Sequence, residues 1–309
     1  MKQIKLALDW TPNINHIGFL VSHELGFYKE KGVDIKIISP DSDDYKYTPA
    51  KKIELGQADL GLCPTESLIS YRTKKSPFKL IALATIFQED VSAIAVKSGS
   101  NIKSPKDLDN KSYASYGARY EDQIIKKMII NDGGLGKINI FYPERLGVWE
   151  SILKGKYDST WIFLNWEGIE KPEFSFFKMK DYGIPYSYSP LIVASENYLK
   201  NNEIGLRNFL KATKKGFMYA LENSKHSTDI LLKHIPHNDK NISLLKSLNF
   251  SKKYFGDEKN FGKIKLDVFK EFFYWINTHG IERHKLDVNN LFYEIDFNFK
   301  IRSISDLPP

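Results

Sequence analysis

A single cysteine, Cys63, stands among 309 residues, which excludes an internal disulfide and any metal site built from several thiolates. Long apolar runs are missing too. The best of them, Leu80 to Phe87, falls far short of the roughly 20 residues that cross a bilayer, so no transmembrane segment is expected. No basic block is interleaved with aromatic residues and no nucleic-acid motif is present. The net charge of +7 comes from lysine pairs beginning at positions 51, 74, 126, 214 and 252, scattered as on a solvated surface. No basic, apolar, small-residue leader precedes the first strand. A cytoplasmic location is therefore expected if Met1 is the true start, and a periplasmic or cell-surface one if a leader is missing from this numbering.

What is present is core-forming material: hydrophobic residues make up 42% and aromatic residues 14% of a chain long enough for two lobes. Ile4, Leu6 and Leu8 alternate with Lys5 and Ala7 as in a strand. Thr11-Pro12-Asn13 breaks it, and Ile17 to Leu25 reads as a helix closed by Gly26. Strand and helix patterns then alternate through Gly32 to Ile38, Ala50 to Leu55, Ala58 to Cys63, a helix opened by Pro64, Leu80 to Phe87 and Ser92 to Lys97, the wiring of a mostly parallel sheet. A second run of the same kind follows, with Lys111 to Ala114, a helix over 121–130 and Ile138 to Tyr142.

The clearest internal echo pairs Ile53-Glu54-Leu55-Gly56-Gln57-Ala58-Asp59 with Ile152-Leu153-Lys154-Gly155-Lys156-Tyr157-Asp158. Each is a helix end, a glycine stop and an aspartate opening a strand. Two α/β lobes follow from this repetition: residues 1–89 with 190–309, and residues 90–189. A two-strand hinge near 88–91 and 188–191 would let such lobes close on a small molecule. Amphipathic helices are expected from Ile204 onward and over Phe269 to Ile276.

Four stretches carry a family likeness: Asp9-Trp10-Thr11-Pro12-Asn13-Ile14-Asn15-His16, the pair Gly56 and Asp59, Trp161-Ile162-Phe163 with Trp166-Glu167-Gly168, and Asp181-Tyr182-Gly183-Ile184-Pro185-Tyr186-Ser187-Tyr188-Ser189-Pro190. Together they resemble the thiamin-pyrimidine superfamily, over residues 3 to about 296. The resemblance implies a type II periplasmic-binding-protein fold and one of two activities. One branch consists of substrate-binding proteins of ABC importers for thiamin-related pyrimidine precursors such as formylaminopyrimidine. The other is the fungal-type hydroxymethylpyrimidine phosphate synthase, which consumes an active-site histidine and bound pyridoxal phosphate in an iron-dependent single turnover. In the stretch that would carry the synthase lysine and histidine, this chain has Cys63 and Ser67. A thiol forms no stable imine, and a serine has no imidazole to donate. The synthase cysteine run is matched by Ile184-Pro185-Tyr186-Ser187-Tyr188, which offers no thiolate.

The expectation is therefore a monomeric binding protein, not an enzyme, serving an ABC permease and its ATPase, with pyridoxal phosphate and iron needed only under the synthase alternative. A binder of another flat heterocycle, such as a flavin, is the third reading. A flat ring calls for aromatic faces and for amide or carboxylate groups at its edge. The candidates are Trp10, Asn13, His16, Glu66, Tyr116, Tyr120, Trp161, Trp166, Glu167, Tyr186 and Tyr188. Each also has a structural alternative: Trp161 and Trp166 as core, Tyr186 and Tyr188 as hinge braces, His16 as a helix cap, Glu66 as a complement to a helix dipole. The loop with Gly117 and Arg119 before a helix is a weak anion-binding candidate. His234 and His237 have a metal-like spacing, with Pro236 between them favouring a loop.

Overall fold

The computed structural model describes residues 3–144, 148–169, 171–236 and 241–293. The chain divides into two compact units. Unit 1 gathers the residues up to Glu89, Tyr188–Leu266 and the described residues from Lys285 onward; unit 2 gathers Asp90–Ser187 and Asp267–His284.

In unit 1 the alternating apolar positions become β1 (Ile4–Ala7), followed by α1 (Ile17–Glu24), α2 (Phe27–Glu30), β2 (Ile35–Ile38), α3 (Pro49–Glu54), β3 (Leu60–Cys63), α4 (Thr65–Thr73) and β4 (Leu80–Thr85). Unit 2 contributes β5 (Ser92–Lys97), β6 (Ser112–Ala114), α5 (Glu121–Asn131), β7 (Asn139–Phe141), α6 (Val148–Leu153), β8 (Ser159–Phe163) and β9 (Phe174–Lys178). The chain then returns to unit 1 with β10 (Leu191–Ser195), α7 (Glu196–Asn201), α8 (Glu203–Glu222), α9 (Ser224–Leu232) and α10 (Leu244–Phe255). Helix α11 (Leu266–Thr278) lies almost wholly in unit 2.

The sheet of unit 1 has the order β2-β1-β3-β10-β4, and that of unit 2 the order β7-β6-β8-β5-β9. In each sheet four strands run in one direction, and one, β10 or β5, runs antiparallel to both of its neighbours. Both sheets are thus mostly parallel, as the strand–helix alternation suggested, with one antiparallel strand each. β10 and β5 enter their sheets directly from the other unit, with no crossover helix to impose parallel pairing.

The internal echo has a physical cause. Gly56 and Gly155 end their helices at φ +70° and +71°, a conformation that favours glycine. Asp59 and Asp158 then brace the start of the adjoining parallel strand: Lys5 N donates to Asp59 Oδ2 at 2.8 Å, and Ser112 N to Asp158 Oδ2 at 2.8 Å. One device therefore opens each sheet.

The core of unit 1 lies between its sheet and its helices. Gly18 of α1 and Gly216 of α8 let these two helices approach closely; a Cβ on Gly216 would stand 2.1 Å from the Gly18 carbonyl oxygen and 2.0 Å from Ser22 Oγ. Ser22 Oγ instead donates to Ala212 O at 2.8 Å across the same interface. In unit 2, Ala93, Ala95, Ile152, Ile162 and Phe174 form a buried cluster.

The second lobe needs one correction. Residues 267–284, expected in the first lobe, belong to unit 2, because Phe272 meets Tyr186 edge-on with ring centroids 5.3 Å apart and Glu282 is bonded to Arg119 and Tyr120. Of the spaced histidines, His234 follows α9, as Pro236 suggested, and His237 lies outside the described residues.

Candidate functional site

The loop leaving β1 is knitted by its own polar side chains. Asn13 caps the short 3-10 turn Ile14–His16, its Oδ1 accepting from Asn15 N at 2.8 Å, while its amide donates to Thr11 O at 3.1 Å. His16 completes a capping box: its Nδ1 accepts the Asn13 N–H at 3.1 Å. That fixes the tautomer, so the proton on Nε2 points to Asp9 Oδ1, 2.8 Å away. Asn13 and His16 are buried, whereas Asp9 and Trp10 are half-buried. The histidine and the asparagine thus serve as caps, and what they present is Asp9 and Trp10.

Tyr45 meets Trp10 with ring centroids 5.6 Å apart and a tilt of 58°. It sits at φ +60°, directly after Asp44 at φ +52°; two consecutive non-glycine residues in this region are a local strain that the fold must hold in place. The buried Lys52 does so from α3, its Nζ 3.0 Å from Asp43 Oδ1. The Asp-rich turn was visible in the sequence, but nothing there connected Tyr45 with Trp10.

Cys63 ends β3 and Ser67 stands in the first turn of α4; the serine hydroxyl is hydrogen-bonded to the thiol. Burial first, and then the negative charge of Asp9, push the Cys63 thiol well above its ordinary value, with Ser67 opposing weakly. The thiol is therefore kept protonated and unreactive. Glu66 is buried in the same first turn. Tyr188 is a brace: its carbonyl accepts from both Thr65 N and Thr65 Oγ1 at 3.0 Å, and its hydroxyl accepts from Lys265 N at 2.9 Å.

Unit 2 brings two pairs of the expected residues together. Trp161 of β8 and Tyr186 meet edge-on at 5.1 Å. Tyr116 lies near Glu167; burial, then the charges of Glu167 and Glu121, hold its phenol well above the ordinary value, so it acts as a neutral donor. Glu167 is fixed from the other side, its Oε2 accepting from Phe163 N at 3.0 Å. Trp166 is core.

The loop with Gly117 and Arg119 is no empty anion cradle. Glu121 fills it with its own carboxylate, accepting from Tyr116 N at 3.1 Å and Ala118 N at 3.2 Å, while Gly117 N donates to Ser115 Oγ at 3.0 Å. Arg119 and Tyr120 are both turned to Glu282, at 2.8 and 2.5 Å. Glu282 also accepts from the main-chain N–H of Arg283 and of His284 and lies 2.7 Å from the His284 ring. Burial alone would raise its pKa. The Tyr120 hydroxyl, the His284 N–H and ring and the Arg119 charge outweigh that and hold it at about 2. Sequence reasoning missed Glu282 because nothing local links residue 282 with residues 119–120.

Among the described residues no group of three or more His, Cys, Asp or Glu side chains is arranged to hold a metal ion.

Two α/β units whose sheets follow one plan, β2-β1-β3-β10-β4 and β7-β6-β8-β5-β9, each with the strand that enters from the other unit inserted antiparallel beside the edge strand, define a periplasmic-binding-protein fold of type II. A Candida albicans protein described as exhibiting the generic periplasmic binding protein fold superposes with a TM-score of 0.73 at 13% identity, over 99% of this chain and 100% of that one. Within that class the chain belongs to the NMT1/THI5-like family, whose pattern matches residues 13–227. A formylaminopyrimidine-binding protein of Halalkalibacterium halodurans is 23% identical over 293 residues, covering 90% of this chain and 86% of that protein. A 4-amino-5-hydroxymethyl-2-methylpyrimidine phosphate synthase of Legionella pneumophila is 24% identical over 245 residues, covering 76% and 74%. The relatives thus include binders and synthases.

Proposed function

We propose that this protein binds a thiamin-related aminopyrimidine without transforming it and delivers it to an ABC permease with its ATPase. The observation that carries the choice between binder and synthase is the Cys63–Ser67 pair: a protonated thiol and a hydroxyl occupy the stretch where the synthase branch has its lysine and histidine. The match to a formylaminopyrimidine-binding protein along nearly its whole length supports the ligand class. Trp10, half-buried beside Tyr45 and held by the Asp9–His16–Asn13 network, offers a stacking face; Asp9 is an acceptor for a ring amino group. Within unit 2, Trp161 with Tyr186 and Tyr116 with Glu167 pair side chains of the same chemistry.

Calorimetry against formylaminopyrimidine, hydroxymethylpyrimidine, thiamin and riboflavin tests this. A pyrimidine should give saturable heat, and Trp10→Ala should weaken its binding by about 1–3 kcal/mol while the circular dichroism stays unchanged. No heat with any pyrimidine would overturn the ligand assignment. An imine absorbance band with pyridoxal phosphate, together with pyrimidine product on adding iron, would overturn the assignment as a binder.

A further inference from the structure

The loop that leads from β6 into α5 has the backbone of an anion site. Gly117 stands at φ +72°, and a left-handed residue in such a turn gathers successive main-chain N–H groups into a concave nest. Here they are the N–H groups of Tyr116, Gly117 and Ala118, just ahead of an 11-residue helix whose first turn favours negative charge.

The nest is filled by the chain itself. Glu121 Oε1 accepts from Tyr116 N at 3.1 Å and from the Tyr113 hydroxyl at 2.8 Å, and its Oε2 accepts from Ala118 N at 3.2 Å. Ser115 Oγ takes the Gly117 N–H at 3.0 Å and donates in turn to Asp122 Oδ1 at 2.8 Å. Glu121 is only 3% exposed, and these three partners are all donors, the set that an ionised carboxylate requires. The stretch 115–122 has a single basic residue, Arg119, and it is turned to Glu282. Negative charge therefore prevails in this part of unit 2. Burial first, and then the charge of Glu121, hold the Tyr113 phenol well above its ordinary value, as burial and the charges of Glu167 and Glu121 do for Tyr116.

Tyr116 ties the nest to the ligand chemistry, since its N–H belongs to the nest and its phenol to the pair with Glu167. We propose that Glu121 sets the charge class of the ligand: its carboxylate stands in the place of a bound anion, so the protein takes an uncharged or protonated pyrimidine and rejects the phosphate ester of the same ring. The proposal rests on the reading of the chain as a pyrimidine binder. A phosphate monoester carries about −1.5 to −2 charges at pH 7. To enter the nest it must displace Glu121, which leaves a buried carboxylate stripped of main-chain donors beside Asp122 and Glu167. A ligand with amino groups and no phosphate meets no such penalty.

Calorimetry on the full chain compares hydroxymethylpyrimidine with its phosphate at about 0.15 M salt. The free pyrimidine should bind and the phosphate should bind at least about 100-fold more weakly. Glu121→Ala empties the nest and should narrow that ratio about tenfold or more. It should also make the protein respond to inorganic phosphate alone, with about 10 mM raising the melting temperature of the variant by about 2 °C or more and leaving the parent unmoved. Should Glu121→Ala fail to fold, Glu121→Gln keeps an acceptor for the Tyr113 hydroxyl while removing the charge, and the ratio should again narrow. Equal affinity of the parent for pyrimidine and phosphate, or an unchanged ratio in a folded Glu121 variant, would overturn the proposal and leave the pyrimidine reading standing. No heat from either compound would overturn both.

Discussion

His16 uses both ring nitrogens inside unit 1, one toward the Asn13 N–H and one toward Asp9. Replacing it by Leu keeps apolar volume but leaves a buried backbone N–H and a carboxylate without their partners. The expected result is a loss of about 1–3 kcal/mol in stability. Pyrimidine binding should weaken as well, since Asp9 and Trp10 lose their support; denaturant melts alongside calorimetry check both. Glu282 is the corresponding residue of unit 2. Its folded pKa of about 2 lies below the ordinary 4.5, so the unfolded chain binds more protons between these values. Stability from this group is therefore fully present above about pH 5 and is lost as the pH falls toward 2. Glu282→Gln should cost about 3 kcal/mol at pH 7, with Arg119 and Tyr120 left facing an amide. The gap between variant and parent should close between pH 5 and pH 2 in urea melts. A gap that does not change with pH would mean that packing, not charge, is what the carboxylate supplies.

At the scale of elements, the α1–α8 interface shows which glycines matter. Gly216→Ala places a methyl group against the Gly18 carbonyl and Ser22 Oγ, forcing two helices apart, and should destabilise by about 1–3 kcal/mol. Gly205 lies on the same helix with open space around its Cα, so Gly205→Ala should stabilise by up to about 1 kcal/mol. Thermal melts of the two variants must therefore move in opposite directions. The helix itself was readable from Phe209, Ala212, Phe217 and Ala220 on one face, and all four are buried. The close approach was not, because a glycine in a helical pattern looks the same whether it faces solvent or another backbone. The same limit governs the site. Trp10 and its polar loop stood out, as a break between a period-2 and a period-3.6 pattern must. Tyr45 and Glu282 did not, since the contacts that give them meaning join residues 35 and 162 positions away.

At the scale of the whole molecule, the repeated strand order was foreshadowed by the Gly56–Asp59 and Gly155–Asp158 echo, because that device acts within a few residues of sequence. The composition of unit 2 was not, because α11 reaches it from far along the chain. Unit 2 consists of Asp90–Ser187 completed by Asp267–His284. Without the second segment, Tyr186 loses Phe272 from its edge, and Arg119 and Tyr120 lose the carboxylate that they both bond. Loss of the aromatic pair removes about 1 kcal/mol beyond its burial. Arg119 is largely exposed, so loss of Glu282 costs mainly the hydrogen bond of the buried Tyr120 hydroxyl, about 1–3 kcal/mol more, a sizeable part of the 5–15 kcal/mol that keeps a domain folded. A fragment of residues 90–187 should therefore populate an expanded state that binds a hydrophobic dye and melts without cooperativity. The same fragment joined through a flexible linker to residues 267–284 should regain a cooperative transition and dispersed amide resonances. Glu282→Gln in the joined fragment should give back part of that gain at pH 7 and little of it near pH 2. A cooperative melt of 90–187 alone, as stable as that of the joined form, would show that α11 rests on unit 2 without completing it.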